Sequence, residues 1–302
     1  MKRRTFLRNT AASASLLSVG AMGLESCAMP RKKQVTILHT NDVHSHIEPF
    51  PDTHSRWANL GGVARRASLV EQIRNENPNT LLLDAGDMFQ GTPYFNFYGG
   101  ELEFKLMSKL RYDAATIGNH DFDNGIDGLL AQVPHAKFQL LSANYDFSNT
   151  VMDSFVKPYQ VFTMDGIRVG VYGIGIALEG LVLKKLYKET QYLDPFEMAL
   201  DTERILKEDE ACDLIICLSH LGYDYQNSNR ASDTQLAERT ENTHLIIGGH
   251  THTFLDKPDQ RTNAKGQPVL INQVGCYGIN LGRIDFTFGT ESLESEGWTI
   301  SV

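Results

Sequence analysis

The chain has 302 residues and a formal net charge of −9, with 41% hydrophobic and 22% charged residues. That balance belongs to a folded globular protein and excludes long disorder, collagen-like repeats and a multi-span membrane protein. The acidic charge excludes a general electrostatic attraction to nucleic-acid polymers, and 4 Cys are too few for a disulfide-dense scaffold.

Residues 1–26 read as an export signal. Lys2, Arg3, Arg4 and Arg8 precede a small, apolar run over 10–24 that is too short to span a bilayer. Arg3-Arg4 followed by Thr5-Phe6-Leu7 resembles a twin-arginine signal. Leu24-Glu25-Ser26-Cys27 resembles a lipobox, in which Cys27 becomes the lipidated N-terminus. The expectation is an exported lipoprotein of the cell envelope or periplasm, touching the membrane only through that anchor. Residues 27–34 read as a basic tether and 35–302 as one domain.

Within that domain short apolar runs alternate with helical ones. Strands are predicted over 35–39, 80–83, 114–117, 140–143, 214–218 and 245–247, and helices over 62–75, 101–110, 126–132 and 196–207. Two β-runs, 159–164 and 168–172, flank Asp165-Gly166 and read as a hairpin. Late strands are predicted over 269–273 and 282–288. This order implies a layered α/β domain with mixed sheets. Cys212, Cys217 and Cys276 show no CxxC spacing and read as small buried packing groups. His39, inside a strand, reads as structural.

Polar groups recur where these strands end: Asp42-Val43-His44, Gly86-Asp87, Gly118-Asn119-His120, His220 and His250-Thr251-His252. Ligands gather at the carboxyl ends of strands in such folds. In extended chain, residues i and i+2 point the same way, so Asp42 and His44 are expected to share an ion. His250 and His252 could serve one ion each. Any one of these groups alone reads as a turn or capping residue; five coincident strand ends read as a metal site. The donors are imidazole, carboxylate and amide without thiolate, which suits zinc, manganese, iron or cobalt. Two divalent ions would carry more charge than the two carboxylates remove. The surplus suits a phosphate ester, and paired ions about 4 Å apart polarise a phosphoryl oxygen and activate water.

The residues resemble the calcineurin-like metallophosphoesterases, in particular their 5′-nucleotidase branch. Val35-Thr36-Ile37-Leu38-His39-Thr40-Asn41-Asp42-Val43-His44-Ser45 is similar to that branch's first signature. Tyr112 through Ile117-Gly118-Asn119-His120-Asp121-Phe122-Asp123 is similar to its second, except that Asp121 stands where the signature has Glu. Gly86-Asp87, Ser219-His220-Leu221-Gly222 and Gly248-Gly249-His250-Thr251-His252 follow in the right order.

The resemblance implies a four-layer α/β/β/α sandwich with two mixed sheets and a binuclear centre. Carried over by motif, Asp42, His44 and His252 would bind one ion, Asn119, His220 and His250 the other, and Asp87 would bridge. His120 and Asp123 resemble the family's catalytic pair. The implied activity is hydrolysis of phosphate esters, nucleotides first, with a metal-bound hydroxide as nucleophile. A 2′,3′-cyclic-nucleotide phosphodiesterase, a nucleotide-sugar hydrolase and a sulfur-ester hydrolase are alternatives.

His46 and Tyr94 are candidate substrate contacts at the pocket rim, and Asn119 a further one. Tyr94, Phe95, Phe97 and Tyr98 otherwise read as packing under a loop. Family 5′-nucleotidases carry a C-terminal nucleotide-binding domain that this sequence does not include. Either a separately encoded partner supplies it, or the substrate is smaller or held differently. A binding or scaffold lipoprotein is the reading from another class.

Overall fold

In the computed structural model residues 32–226, 230–290 and 292–302 are described. The predicted export signal over 1–26, the lipid attachment at Cys27 and the tether as far as residue 31 lie outside them.

Strand β1 (Lys33–Thr40) ends in six buried residues, the burial of a strand covered on both faces. It begins two residues earlier than its apolar run because Lys33 and Gln34 pair with Phe288 and Thr287. Helix α1 (Val63–Glu76), β2 (Thr80–Asp84), α2 (Pro93–Tyr98), α3 (Glu101–Leu110), β3 (Ala114–Thr116), α4 (Gly125–Gln132) and β4 (Gln139–Leu141) follow. Then come β5 (Tyr145–Asp146), β6 (Val156–Lys157) and the hairpin of β7 (Tyr159–Met164) and β8 (Ile167–Ile174). The rest comprises α5 (Lys184–Tyr187), β9 (Gln191–Tyr192), α6 (Pro195–Arg204), β10 (Leu214–Ser219), α7 (Asp233–Arg239), β11 (Leu245–Ile247), β12 (Asp259–Thr262), β13 (Pro268–Asn272), β14 (Asn280–Phe288) and β15 (Leu293–Ser301).

These strands build a seven-stranded sheet in the order β15-β14-β1-β2-β3-β4-β6 and a six-stranded one in the order β12-β13-β11-β10-β8-β7. Both are mixed: β1 to β4 run parallel while β14 returns antiparallel to β1, and β10 runs parallel to both β8 and β11 while β7 returns antiparallel to β8.

The side-chain period of two sets the layering. In β10, Leu214, Ile216 and Leu218 join Val35, Ile37, Leu81 and Ile284 of the other sheet in one buried layer. Ile215 and Cys217 point the opposite way, to Ala199 and Leu206 of α6 and its extension and Leu236 of α7. On the far side Leu38 and Leu82 pack with Val70, Ile73, Phe104 and Met107 of α1 and α3. The result is the α/β/β/α order that the resemblance implied. Each fully buried aliphatic side chain in the central layer contributes roughly 2 kcal/mol of apolar transfer.

His39 is fully buried in β1 and its Nε2 accepts a hydrogen bond from Asn272 Nδ2 at 2.9 Å. Burial pushes its pKa down to about 3, so it is a neutral structural residue. Cys212, Cys217 and Cys276 are free and buried. Predicted helix 196–207 runs from Pro195 to Arg204 and continues as a π-helical turn over Ile205–Asp209.

Candidate metal centre

Beyond β1 and β2 the two loops that follow these neighbouring strands stay zipped together. Asp42 N donates to Gly86 O at 2.9 Å, His44 N to Asp87 O at 3.1 Å and Ser45 N to Met88 O at 3.0 Å. The chain is not extended there: Asp42, His44 and Ser45 have φ of 49, 49 and 55°. Asp42 and His44 converge because both adopt left-handed backbone, not because they alternate along a strand. His250 and His252 also have left-handed backbone, at φ 69 and 51°. Non-glycine residues in this region are strained and concentrate at functional sites.

Two groups of side chains form. Asp42, His44 and His252 make one and Asp87, His220 and His250 the other, each with its ligand atoms within 4.8 Å of one another. Asn119 joins the second group, its Oδ1 lying 2.8 Å from His250 Nδ1. Asp87 lies between the groups: its Oδ2 is 3.1 Å from His220 Nε2 and 3.9 Å from His44 Nε2. All seven positions named as ligands from the sequence are thus brought together, and the i, i+2 pair of His250 and His252 divides between the two groups.

The donor set fits cations. His44 Nδ1 lies 3.1 Å from Phe89 O and His220 Nδ1 2.7 Å from Ala85 O. Each carbonyl fixes the proton on Nδ1 and turns the Nε2 lone pair inward, the orientation that metal-ligating histidines take. His44 Nε2 then lies 3.0 Å from His252 Nε2, and His220 Nε2 lies 3.1 Å from the Asp87 carboxylate, a cluster of lone pairs that cations placed among them would satisfy. The electrostatics agree. Desolvation opposes the charged form of His220, yet Asp87 overrides it and pushes the pKa up to about 10. His252 is likewise raised to about 10 by Asp42 against desolvation.

Asp42 is held in place by its neighbours. Asn41 Nδ2 donates to its Oδ2 at 2.6 Å and to Gly275 O at 2.7 Å, and His250 N donates to both its oxygens at 3.0 Å. Gly118 makes room for Asp87, since a Cβ there would stand 2.2 Å from Asp87 Oδ1.

Sequence reasoning gave Asp121 no role, and the structure gives it a central one. It is fully buried, and its carboxylate accepts from Asp87 N at 3.0 Å, Met88 N at 2.9 Å, Phe89 N at 3.1 Å and Gly118 N at 2.8 Å. It pins the Asp87 loop to the Asn119 loop. Asp121→Asn turns an amide NH2 towards two of those donors, and each orphaned buried donor costs about 1–3 kcal/mol. The expected result is a metal affinity lowered by roughly 10–100-fold together with a lower Tm, read by metal titration and thermal melts.

His120 belongs to neither group. Its backbone N donates to Asp87 Oδ1 at 2.8 Å, and its half-buried ring lies with Nδ1 2.9 Å from Asp123 Oδ2. That contact raises the His120 pKa above the usual imidazole value against desolvation. The ring stands edge-on to His44 with centroids 5.3 Å apart and lines a cleft of about 450 Å³.

His46 lines this cleft, its Nδ1 2.9 Å from His44 O. Tyr94 does not line it; α2 turns its hydroxyl onto Glu48, whose carboxylate raises its pKa. Of its aromatic neighbours, Phe95 is buried against Phe89 and Phe97 is 84% exposed.

Comparison with known proteins agrees with this geometry. The calcineurin-like phosphoesterase family matches residues 35–254. Human 5′-nucleotidase is 33% identical over 285 residues, covering 84% of this chain and 46% of that protein. The trifunctional nucleotide phosphoesterase protein YfkN of Bacillus subtilis is 34% identical over 286 residues, covering 84% of this chain and 18% of that protein. The crystal structure of a 5′-nucleotidase precursor from Thermus thermophilus superposes with a TM-score of 0.81 at 34% identity, over 89% of this chain and 55% of the other. The chain therefore spans about half or less of the length of these relatives. The matched residues 35–254 carry both groups of ligands and the His120–Asp123 pair on the α/β/β/α sandwich, and the chain belongs to the calcineurin-like phosphoesterase family.

Proposed function

We propose that this chain is a metal-dependent phosphoric monoester hydrolase acting on nucleotides. The observation that carries the reading is the Asp87 carboxylate, one oxygen of which faces imidazoles of both ligand groups. Asp42, His44 and His252 would hold one divalent ion, and Asn119, His220 and His250 the other, with Asp87 shared. Such a pair supplies Lewis acidity towards a phosphoryl oxygen and a water acidified to a pKa of about 7. The 5′-nucleotidase relatives support nucleotides as the substrate class.

The protein's own part in the chemistry falls to the dyad. Asp123 accepts a hydrogen bond from His120 Nδ1–H and so fixes the ring with Nε2 free to act. As the P–O bond to the leaving group breaks, His120 Nε2 gives its proton to the departing alkoxide, and an alcohol and phosphate leave. The Asp123 contact shifts His120 towards its protonated form, the state this step needs. The leader over 1–26 and Cys27 support placing this reaction in the cell envelope.

The purified chain, supplied with manganese, zinc or cobalt, is expected to bind two ions and to hydrolyse an aryl phosphate and nucleoside 5′-monophosphates. Removing the ions with a chelator should abolish both activities. Full metal occupancy without hydrolysis of either ester would sink the reading.

A further inference from the structure

One wall of the cleft is aromatic, and its rings belong neither to the ligand groups nor to the dyad. It consists of His46, Phe50, Trp57 and Tyr277. The rings touch in series: His46 lies 4.3 Å from Tyr277 and 5.1 Å from Phe50, Tyr277 lies 5.1 Å from Trp57, and Phe50 lies 5.3 Å from Trp57. The series starts at the metal centre, where Tyr277 is 5.9 Å from His252 and 6.0 Å from His44. At its outer end the Arg56 guanidinium sits 5.1 Å from the Trp57 ring centroid.

Tyr277 is strained into this position. Its φ is 64°, and its N–H is tied to Asp42 O at 2.7 Å. A bulky residue in left-handed backbone costs about 1–3 kcal/mol and persists where its surroundings force it. Here the force is a hydrogen bond to a ligand residue of the metal centre, so the ring is indexed to that centre. All four rings are half-buried, unlike the fully buried Phe89, Phe104 and Phe122 of the core.

We infer that this wall is a subsite for the planar aromatic end of a leaving nucleoside: a nucleobase carried one sugar away from a phosphate held at the two ligand groups. The inference rests on the phosphoesterase reading and deepens it, because the metal-bearing domain then selects nucleotides with its own residues. Aromatic faces accept every base, so the subsite favours nucleotides over plain sugar phosphates without choosing strongly among bases.

The test compares adenosine 5′-monophosphate with ribose 5-phosphate on the full metal-loaded chain. The two esters share the phosphate and sugar and differ in the base. The ratio of their kcat/KM values is expected to be about tenfold or more in favour of the nucleotide, the usual worth of one stacked base. Trp57→Ala and Tyr277→Gly should each pull it towards one; Gly is chosen because it adopts φ near 64° without strain. Trp57→Phe, which keeps a ring, should preserve the ratio, and so should Phe97→Ala, far exposed on α2.

A second measurement needs no turnover. Trp57 and Trp298 are the 2 tryptophans of the chain, so Trp298→Phe leaves Trp57 as sole reporter. The nucleotide, but not ribose 5-phosphate, should quench its emission saturably in metal-loaded protein that also carries His120→Asn and so turns over too slowly to deplete the ligand. A ratio unmoved by both Trp57→Ala and Tyr277→Gly, or emission unmoved by the nucleotide, overturns the subsite. Absence of hydrolysis of either ester instead overturns the phosphoesterase reading, and the fluorescence then decides the subsite alone.

Discussion

Replacing His120 by Asn is expected to lower turnover on nucleoside monophosphates by at least ~10²-fold, the usual worth of a positioned general acid, while both metal ions stay bound. The separation of effects follows from geometry. The His120 side chain contributes to neither ligand group, and its contact with Asp87 is made by the backbone N–H, which Asn retains. The leaving group supplies an internal control. An alkoxide departs poorly without a proton, whereas a nitrophenolate leaves unaided, so the defect should be several-fold smaller on a nitrophenyl ester. Turnover on both esters and metal content of the same preparation are the measurements. Loss of an ion in the variant would make His120 a structural residue of the Asp87 loop instead.

The second large effect is expected for Asp87→Asn. The buried Asp87 carboxylate faces His220 at 3.1 Å and His44 at 3.9 Å, so a single negative charge serves both groups. Asn keeps an oxygen for the His120 N–H and the shape of the site but removes that charge. Changing even the partners that orient metal ligands costs about 10–100-fold; removing a shared ligand charge should cost at least the upper end of that range and take activity below detection. Added manganese should raise the wild-type Tm, since an ion at about 100 times its Kd stabilises by about 2.7 kcal/mol, and the rise should shrink or vanish in the variant. A variant that binds two ions as tightly as the wild type would remove Asp87 from the bridging position.

The central strands were legible in the sequence because β1 and β10 are buried on both faces and are rich in apolar residues, unbroken from Leu214 to Leu218 in β10. Helix α3 was legible to the residue, with an apolar face at Phe104, Met107 and Leu110 between acidic and basic ends. The ligands were legible because imidazole and carboxylate side chains recur where strands stop. Their convergence was read for the wrong reason, since left-handed backbone leaves no periodic trace. Strand β15 was missed because it is an exposed edge carrying Glu294 and Glu296, with no apolar alternation to read. Helix α7 was missed because it is short and depends on the Ser232 cap. Asp121 is the plainest case: its partners are backbone N–H groups of residues 87–89, more than thirty positions away along the chain. Residue type alone does not show such a contact, and Tyr277 and Trp57 sit in loops where an aromatic ring has no pattern to announce it.

The two ligand groups each draw on both halves of the sandwich. Asp42 and His44 follow β1 of one sheet while His252 follows β11 of the other, and Asp87 and Asn119 of the first sheet meet His220 and His250 of the second. The bound cations would therefore act as rivets through the seam. A slip of one sheet across the other by a fraction of a side chain would spread both cages at once, so catalytic competence is tied to the register of the whole sandwich. Trimming a methyl group from that seam, far from any substrate, should loosen the grip on the ions before it unfolds the protein.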